Sequence, residues 1–167
     1  MKISRDLTQF KNFKALFIVT GRQEADIYVA ENGKIDKIEE IEIPNSKYSD
    51  KEGFFKTRTG GRVIRSGSVL EFPKEKIMKD FLRELKTAMK DIRQRHKFDS
   101  VYLFSPEFFH NQVFEALPKD FQKKTKETVF GDYCHSHPFE ILKKIKKDAP
   151  EVILKEEAAK ILKKKKS

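Results

Sequence analysis

Ala15-Leu16-Phe17-Ile18-Val19, then Gly21-Arg22, then Ala25-Asp26-Ile27-Tyr28-Val29-Ala30-Glu31 is the stretch that decides the fold. Five consecutive apolar residues are too few for a helix and read as a strand covered on both faces. Gly21-Arg22 turns the chain into a second strand. Asn32-Gly33 follows, and both residues tolerate positive φ, so the pair marks a hairpin. Ile35, Ile38, Ile41 and Ile43 are interleaved with Asp36, Lys37, Glu39, Glu40 and Glu42, which gives a third strand with one wet face, closed by Pro44. Strands near 14–20, 25–31 and 35–43 are therefore expected as an antiparallel meander. Upstream, Leu7 and Phe10 stand three apart and suggest a short helical lead-in over 3–12.

Downstream, Met78, Leu82, Leu85, Met89 and Ile92 step by helical spacing, with Ile77 and Phe81 widening the stripe, so a long helix opens at Pro73. Val101-Tyr102-Leu103-Phe104 repeats the doubly apolar pattern and should pair parallel to the first strand. Ser105-Pro106-Glu107 reads as the cap and first turn of a helix burying Phe109, Val113 and Leu117 and ending at Pro118. Thr128-Val129-Phe130 is a short strand. Pro138 opens a helix carrying Ile141, Leu142 and Ile145. Asp148 and Glu151 begin a last helix with Leu154, Ala158, Ile161 and Leu162. The order β-β-β-(loop)-α-β-α-β-α-α predicts an α/β fold, a single mixed sheet with helices on its faces, of ribonuclease H-like type.

The 167 residues make one domain, with a core over 13–147, a long loop over 44–72 and a C-terminal helix and Lys-rich tail over 148–167. Thirty-six Lys and Arg against 26 Asp and Glu leave a net charge of +10, a balance that favours a polyanionic partner such as RNA. The one cysteine, Cys134, leaves no disulfide framework and suits the reducing cytoplasm. No apolar run approaches a membrane span, and the first residues lead into no signal-type stretch. A membrane protein, a secreted mini-protein and a multidomain enzyme are excluded on these grounds.

The segment 44–72 holds four of the seven glycines, Gly53, Gly60, Gly61 and Gly67. Between 51 and 70, Lys51, Lys56, Arg58, Arg62 and Arg65 stand against Glu52 alone, a net of +4. A loop of this length inside a compact domain is uncommon and is usually functional or disordered.

Ala15 to Tyr28 resembles the opening of bacterial proteins named for attachment to host cells, relatives of the middle domain of the archaeal and eukaryotic class-one peptide-chain release factor. Phe98-Asp99-Ser100-Val101-Tyr102-Leu103-Phe104-Ser105-Pro106, Phe108-Phe109 and Val129-Phe130-Gly131-Asp132-Tyr133 carry the resemblance onward, over roughly 13–147. In release factors a Gly-Gly-Gln tripeptide between the opening strands and a long helix enters the peptidyl-transferase centre. Gly60-Gly61 stands in the corresponding place here, but Arg62 replaces the Gln. The resemblance thus implies a non-catalytic or degenerate release-factor-like protein. Its partners would be the ribosome, tRNA or structured RNA, bound through Lys56, Arg58, Arg62 and Arg65, with Lys143, Lys144, Lys146 and Lys147 adding affinity. One alternative is a peptidyl-tRNA hydrolase-type release or rescue enzyme with Gly60, Gly61 and Arg62 as its catalytic candidates. The other is a protein-interaction module involved in host attachment.

Two other chemistries find little support in the sequence. A nuclease of this fold needs carboxylates clustered on the sheet to hold Mg²⁺. The first strand carries none, which leaves Glu75, Asp80, Glu84 and Asp99 as solvent-facing charge. Asp132, Cys134, His135 and His137 form the densest ligand-type group, but one short patch lacks the second half of a zinc site, and His96 and His110 show no ligand spacing. The favoured reading of 132–137 is a strand-to-helix turn with Ser136 or His137 as cap. Cys134 lacks an orienting acid and an oxyanion loop, so it is not read as a nucleophile. No cofactor is expected.

Overall fold

A computed structural model describes residues 1–44 and 74–145. The basic glycine segment, Pro73 and everything after Ile145, including the expected last helix, the Lys tail, Lys146 and Lys147, lie outside the described residues.

Five strands form one sheet in the order β3-β2-β1-β4-β5. They are β1 (Lys14–Thr20), β2 (Glu24–Glu31), β3 (Lys34–Glu42), β4 (Ser100–Ser105) and β5 (Thr125–Phe130). β1 pairs antiparallel with β2 and parallel with β4, β2 pairs antiparallel with β3, and β4 pairs parallel with β5. All strands except β2 therefore point the same way. This mixed α/β sheet is consistent with the ribonuclease H-like class expected from the sequence, and both the meander and the parallel β1–β4 pairing are as expected. The hairpin forms at Asn32 (φ 49°) and Gly33 (φ 75°), the doubly left-handed turn whose twist matches that of the strands.

β1 is buried from Ala15 to Thr20. Leu16 and Ile18 face one apolar layer, and Ala15, Phe17 and Val19 face the other. The first layer is covered by α1 (Lys74–Arg95), α2 (His110–Ala116) and α3 (Lys119–Lys124). α1 buries Phe81, Leu85, Met89 and Ile92, while Met78 and Leu82 flank the stripe half-buried. The buried stripe is thus turned toward Phe81, which packs on Phe109 with ring centroids 6.0 Å apart. The second layer is covered by α4 (Pro138–Lys144), through Ile141 and Leu142, and by the N-terminal residues Ile3 and Phe10.

Three local expectations are corrected, and one helix, α3, is not among the expected elements. Residues 3–12 form no helix, because Phe10 and Asn12 are left-handed (φ 48° and 54°). The segment instead straps the hairpin: Ile3 N–H donates to Gly33 O, Gly33 N–H to Gln9 O and Asn32 N–H to Phe10 O. Ser105 ends β4 and caps nothing. A 3₁₀ turn at Glu107–Phe109 precedes α2, and its cap position is Pro106. The short helix α3, anchored by buried Phe121 alone, has too few apolar positions to show a period. β5 is twice the expected length, since an edge strand with mostly half-covered residues carries a weak apolar signal.

Leu85 is fully buried between α1 and the sheet. Leu85→Ala should cost about 2–5 kcal/mol in chemical denaturation, and the half-buried Leu82→Ala should cost clearly less.

Candidate functional site

β1, β3, β4 and β5 share one direction, so their carboxyl ends lie along one edge of the sheet. In open α/β sheets this is the edge where ligand sites form. Ile43 is fixed there by two bonds, its N–H to Gln23 O (2.9 Å) and Gln23 Nε2 to its own carbonyl (3.0 Å). The chain leaves β3 at Pro44 beside the β1–β2 turn. It returns in α1, which must run back across the sheet to feed β4. Phe81, the eighth residue of α1, already packs on Phe109 just past the end of β4, so the first turns of α1 also lie at this edge. Ile43 and the first turns of α1, the described residues on either side of the basic glycine segment, therefore lie at the carboxyl edge.

The same edge carries two exposed rings. Phe130 ends β5 and is 51% exposed, and Phe108, three residues past the end of β4, is 64% exposed. The Arg22 guanidinium, from the β1–β2 turn, lies over the Phe108 ring at 5.5 Å. Phe108 stacks on buried Phe109 at 6.3 Å, and the His110 ring meets Phe130 edge-on at 5.2 Å. Burial lowers the His110 pKa, and among the described residues its buried Nδ1 has no hydrogen-bond partner, both of which favour the neutral ring. Gly131, which follows Phe130, has φ 144°, and a Cβ there would come within 2.7 Å of the Tyr133 ring. Only glycine lets β5 turn sharply behind Phe130.

Loop 131–137 then crosses to β2. Asp26, 2% exposed, accepts from Lys37 Nζ (2.8 Å), from the His135 N–H (3.2 Å) and from the Tyr28 hydroxyl (3.4 Å). A buried carboxylate needs such donors to stay charged. Lys37 reaches it because the β2–β3 register shifts at Ile27/Tyr28, setting Lys37 opposite Tyr28. Burial pulls the Lys37 pKa down, but hydrogen bonds to Asp26 and Glu40 outweigh it and the pKa is raised overall. Burial, with Asp26 beside it, pushes Tyr28 up to about 12. His135 adopts φ 63°, a conformation histidine tolerates better than most residues. Its Nε2 lies 2.9 Å from Glu24 Oε2, and that hydrogen bond and the Glu24 charge raise its pKa.

The densest ligand-type group does not converge. His137 accepts from Phe139 N–H at the start of α4, so of the two expected caps, Ser136 and His137, it is His137 that fills the role. The Cys134 thiol points at the Val19 and Glu24 carbonyls. Burial, then the neighbouring Glu24, Asp26 and Asp132 carboxylates, push it up to about 12, so it stays protonated and is a poor nucleophile near pH 7. Among the described residues no three His, Cys, Asp or Glu side chains are grouped to hold a metal ion. Asp80 pairs with Arg83, and Asp99 accepts from the Lys14 N–H. Lys143 and Lys144 are exposed on α4. Gly60, Gly61, Arg62, Lys56, Arg58 and Arg65 lie outside the described residues. Reading the sequence alone missed Glu24, Asp26 and Lys37, although one acid inside the run Ala25-Asp26-Ile27-Tyr28-Val29-Ala30 is itself a signal that something must satisfy it.

Residues 16–145 match the family described as "protein required for attachment to host cells". The chain belongs to this family. No curated protein matches the chain. Among solved structures the host-attachment chain is similar to an archaeal translation termination factor, aRF1, at 13% identity and a TM-score of 0.48, covering 92% of this chain and 40% of that one. A second, described only as an archaeal protein, has 14% identity and a TM-score of 0.47, over 92% and 39%. The chain spans about two fifths of the length of these structures. No helix among the described residues is long and apolar enough to cross a membrane.

Because the His135 pKa is raised on folding, its pairing with Glu24 stabilises the fold fully below the unfolded value of about 6.5 and is lost as pH rises through the folded value. Glu24→Gln should return the His135 titration, followed by imidazole NMR, toward 6.5. The stability gap between wild type and variant should be widest on the acid side. Asp26→Ala, which strands the three donors, should cost about 1–3 kcal/mol in denaturant melts.

Proposed function

We propose that this host-attachment family member binds structured RNA of the translation machinery, on the ribosome or on tRNA, through phosphate contacts from Lys56, Arg58, Arg62 and Arg65. The observation that supports the reading is that Ile43 and the first turns of α1, the described residues flanking the segment that carries net +4 over 51–70, both lie at the carboxyl edge of the sheet. Glycine allows close backbone approach to phosphate, and lysine and arginine supply the counter-charge. Lys143 and Lys144, exposed on α4, with Lys146 and Lys147, add sequence-independent attraction. The net charge of +10 acts in the same direction. A cytoplasmic setting belongs to the same proposal.

The activity is binding and not hydrolysis, because Arg62 follows Gly60-Gly61 where release factors have Gln. Co-sedimentation with ribosomes and binding to tRNA across a salt series test the reading. Affinity should fall steeply with salt. Arg58→Ala, Arg62→Ala and Arg65→Ala together should weaken binding and reduce the salt slope by about one for each phosphate no longer neutralised. Melting temperatures should be unchanged. Release of peptide from peptidyl-tRNA would favour the hydrolase. Absence of any RNA or ribosome binding by the wild type would favour the protein-interaction module.

A further inference from the structure

We infer that the solvent face of α1 holds paired RNA by its phosphates, through Lys76, Lys79, Arg83, Lys86, Lys90 and Arg93, an inference that rests on the RNA reading and adds a second surface to it. The six are spaced 3, 4, 3, 4 and 3 apart. On a helix of 3.6 residues per turn they fall within about 100° of arc, and all six are exposed. From Lys76 to Arg93 the line is about 25 Å long.

The needs of the helix itself do not account for this line. Surface helices gain from opposite charges three and four apart and lose from like charges at the same spacing. α1 carries eight Lys and Arg against four acids, and the acids are set apart. Asp80, Glu84 and Asp91 fall in a separate band further round the helix, and Glu75 sits in the first turn, where the dipole favours an acid. Each consecutive pair along the line is therefore like-charged and at repelling distance. The dipole explains cations in the last turn, Arg93 and Arg95, but it fades beyond that turn. Arg83 pairs with Asp80 at 2.9 Å, and Arg93 with Asp120 of α3 at 2.7 Å. Lys79, Lys86 and Lys90 make no ion pair among the described residues. A bound polyanion relieves the repulsion that the free helix sustains.

The rest of the face selects the occupant. The apolar stripe of α1, Phe81, Leu85, Met89 and Ile92, is buried against the sheet, so the helix has none to insert into a lipid surface. Nor does α1 expose a large apolar side chain: among the described residues these are Met1, Phe108 and Phe130. A protein partner finds no apolar anchor here, and unpaired bases find no ring to stack on. Paired RNA needs neither, because it is held through its phosphates and its shape. A rigid helix with about one cation per turn of about 5.4 Å presents its counter-charges in a line to such a backbone.

The test is anisotropy titration of the full chain against a fluorescein-labelled, blunt-ended RNA duplex two helical turns long, across a salt series. Lys79→Gln, Lys86→Gln and Lys90→Gln together should cost about tenfold in affinity at low salt and reduce the salt slope by about three. Lys2→Gln, Lys11→Gln and Lys34→Gln together remove the same charge from exposed positions on the strap and hairpin, and should leave the slope unchanged. The α1 triple variant should melt no lower than wild type, because it loses only repulsion. If it melts early, Lys86→Gln alone decides, with a slope reduced by about one. Equal affinity and slope for wild type and the α1 variant overturn the second surface and, where tRNA binding or ribosome co-sedimentation persists, leave the RNA reading standing. Equal losses in the two triple variants also overturn it, since net charge alone then governs binding. Tighter binding of wild type to polyglutamate or to phosphatidylglycerol vesicles than to the duplex overturns the assignment of this face to RNA. A wild type that binds neither duplex, tRNA nor ribosomes overturns both readings.

Discussion

Strand β1 has no side that meets water. Leu16 and Ile18 enter one apolar layer, Phe17 and Val19 the other, and all four are fully buried. Its two backbone edges are occupied as well, by β2 on one side and β4 on the other. A strand buried on both faces needs cover on both. A parallel partner also needs a crossover, which α1 provides over the Leu16 face. Among the described residues no crossover helix covers the Phe17 face. There the cover is assembled from α4 and the N-terminal strap, with Phe10 and Tyr102 packed on the Phe17 ring at 5.7 and 4.9 Å.

That difference between the two faces explains where polar groups enter. The α1 side is apolar apart from the hydroxyls of Thr20 and Ser105 at its carboxyl end. The α4 side admits Asp26, because the loop that leads into α4 brings the His135 backbone N–H to it and the shifted β3 register brings Lys37. The carboxylate then ties together three pieces of chain distant in sequence, β2, β3 and 131–137. Its burial without those donors would be costly. Its place there is better explained as fixing the approach of the loop than as adding net stability, since ion pairs that surrender hydration gain little overall.

Strong local signals made the frame legible. Five contiguous apolar residues in β1, the Asn32-Gly33 turn, the helical step of α1 and the apolar run of β4 each specify one element. Together they predict the sheet and its parallel crossover. What escaped was set by tertiary partners. Residues 3–12 carry a helical spacing, yet the hairpin's free backbone groups at Asn32 and Gly33 draw them into a strap. α3 has one buried anchor, and β5 has an edge strand's mixed pattern. At the site, the cap role of His137 could be read from Pro138 behind it. The Asp26–Lys37 pair could not, because it depends on a register shift that no spacing in the sequence displays. The exposure of Phe108 and Phe130 was equally hidden, since each stands next to one apolar residue, Phe109 and Val129 respectively, in a segment that reads as a packed element.

The two ends of the sheet are built differently, and the difference bears on function. At the amino end the elements are stitched together: Asp99 exchanges hydrogen bonds with the Lys14 backbone, Lys124 Nζ donates to Phe98 O, and Lys14 lies over the Phe98 ring at 5.9 Å. Loops there are short and their polar groups are spent on one another. At the carboxyl end two rings stand exposed, Phe130 and, beneath the Arg22 guanidinium, Phe108. A domain that needed only stability would gain by closing both ends alike, since exposed rings and like charges contribute nothing to a core. Among the described residues the exposed rings are thereby confined to the carboxyl edge, where four strands terminate together and the turns are tied by bonds such as Gln23 to Ile43 and Gly131 N–H to Ser105 O.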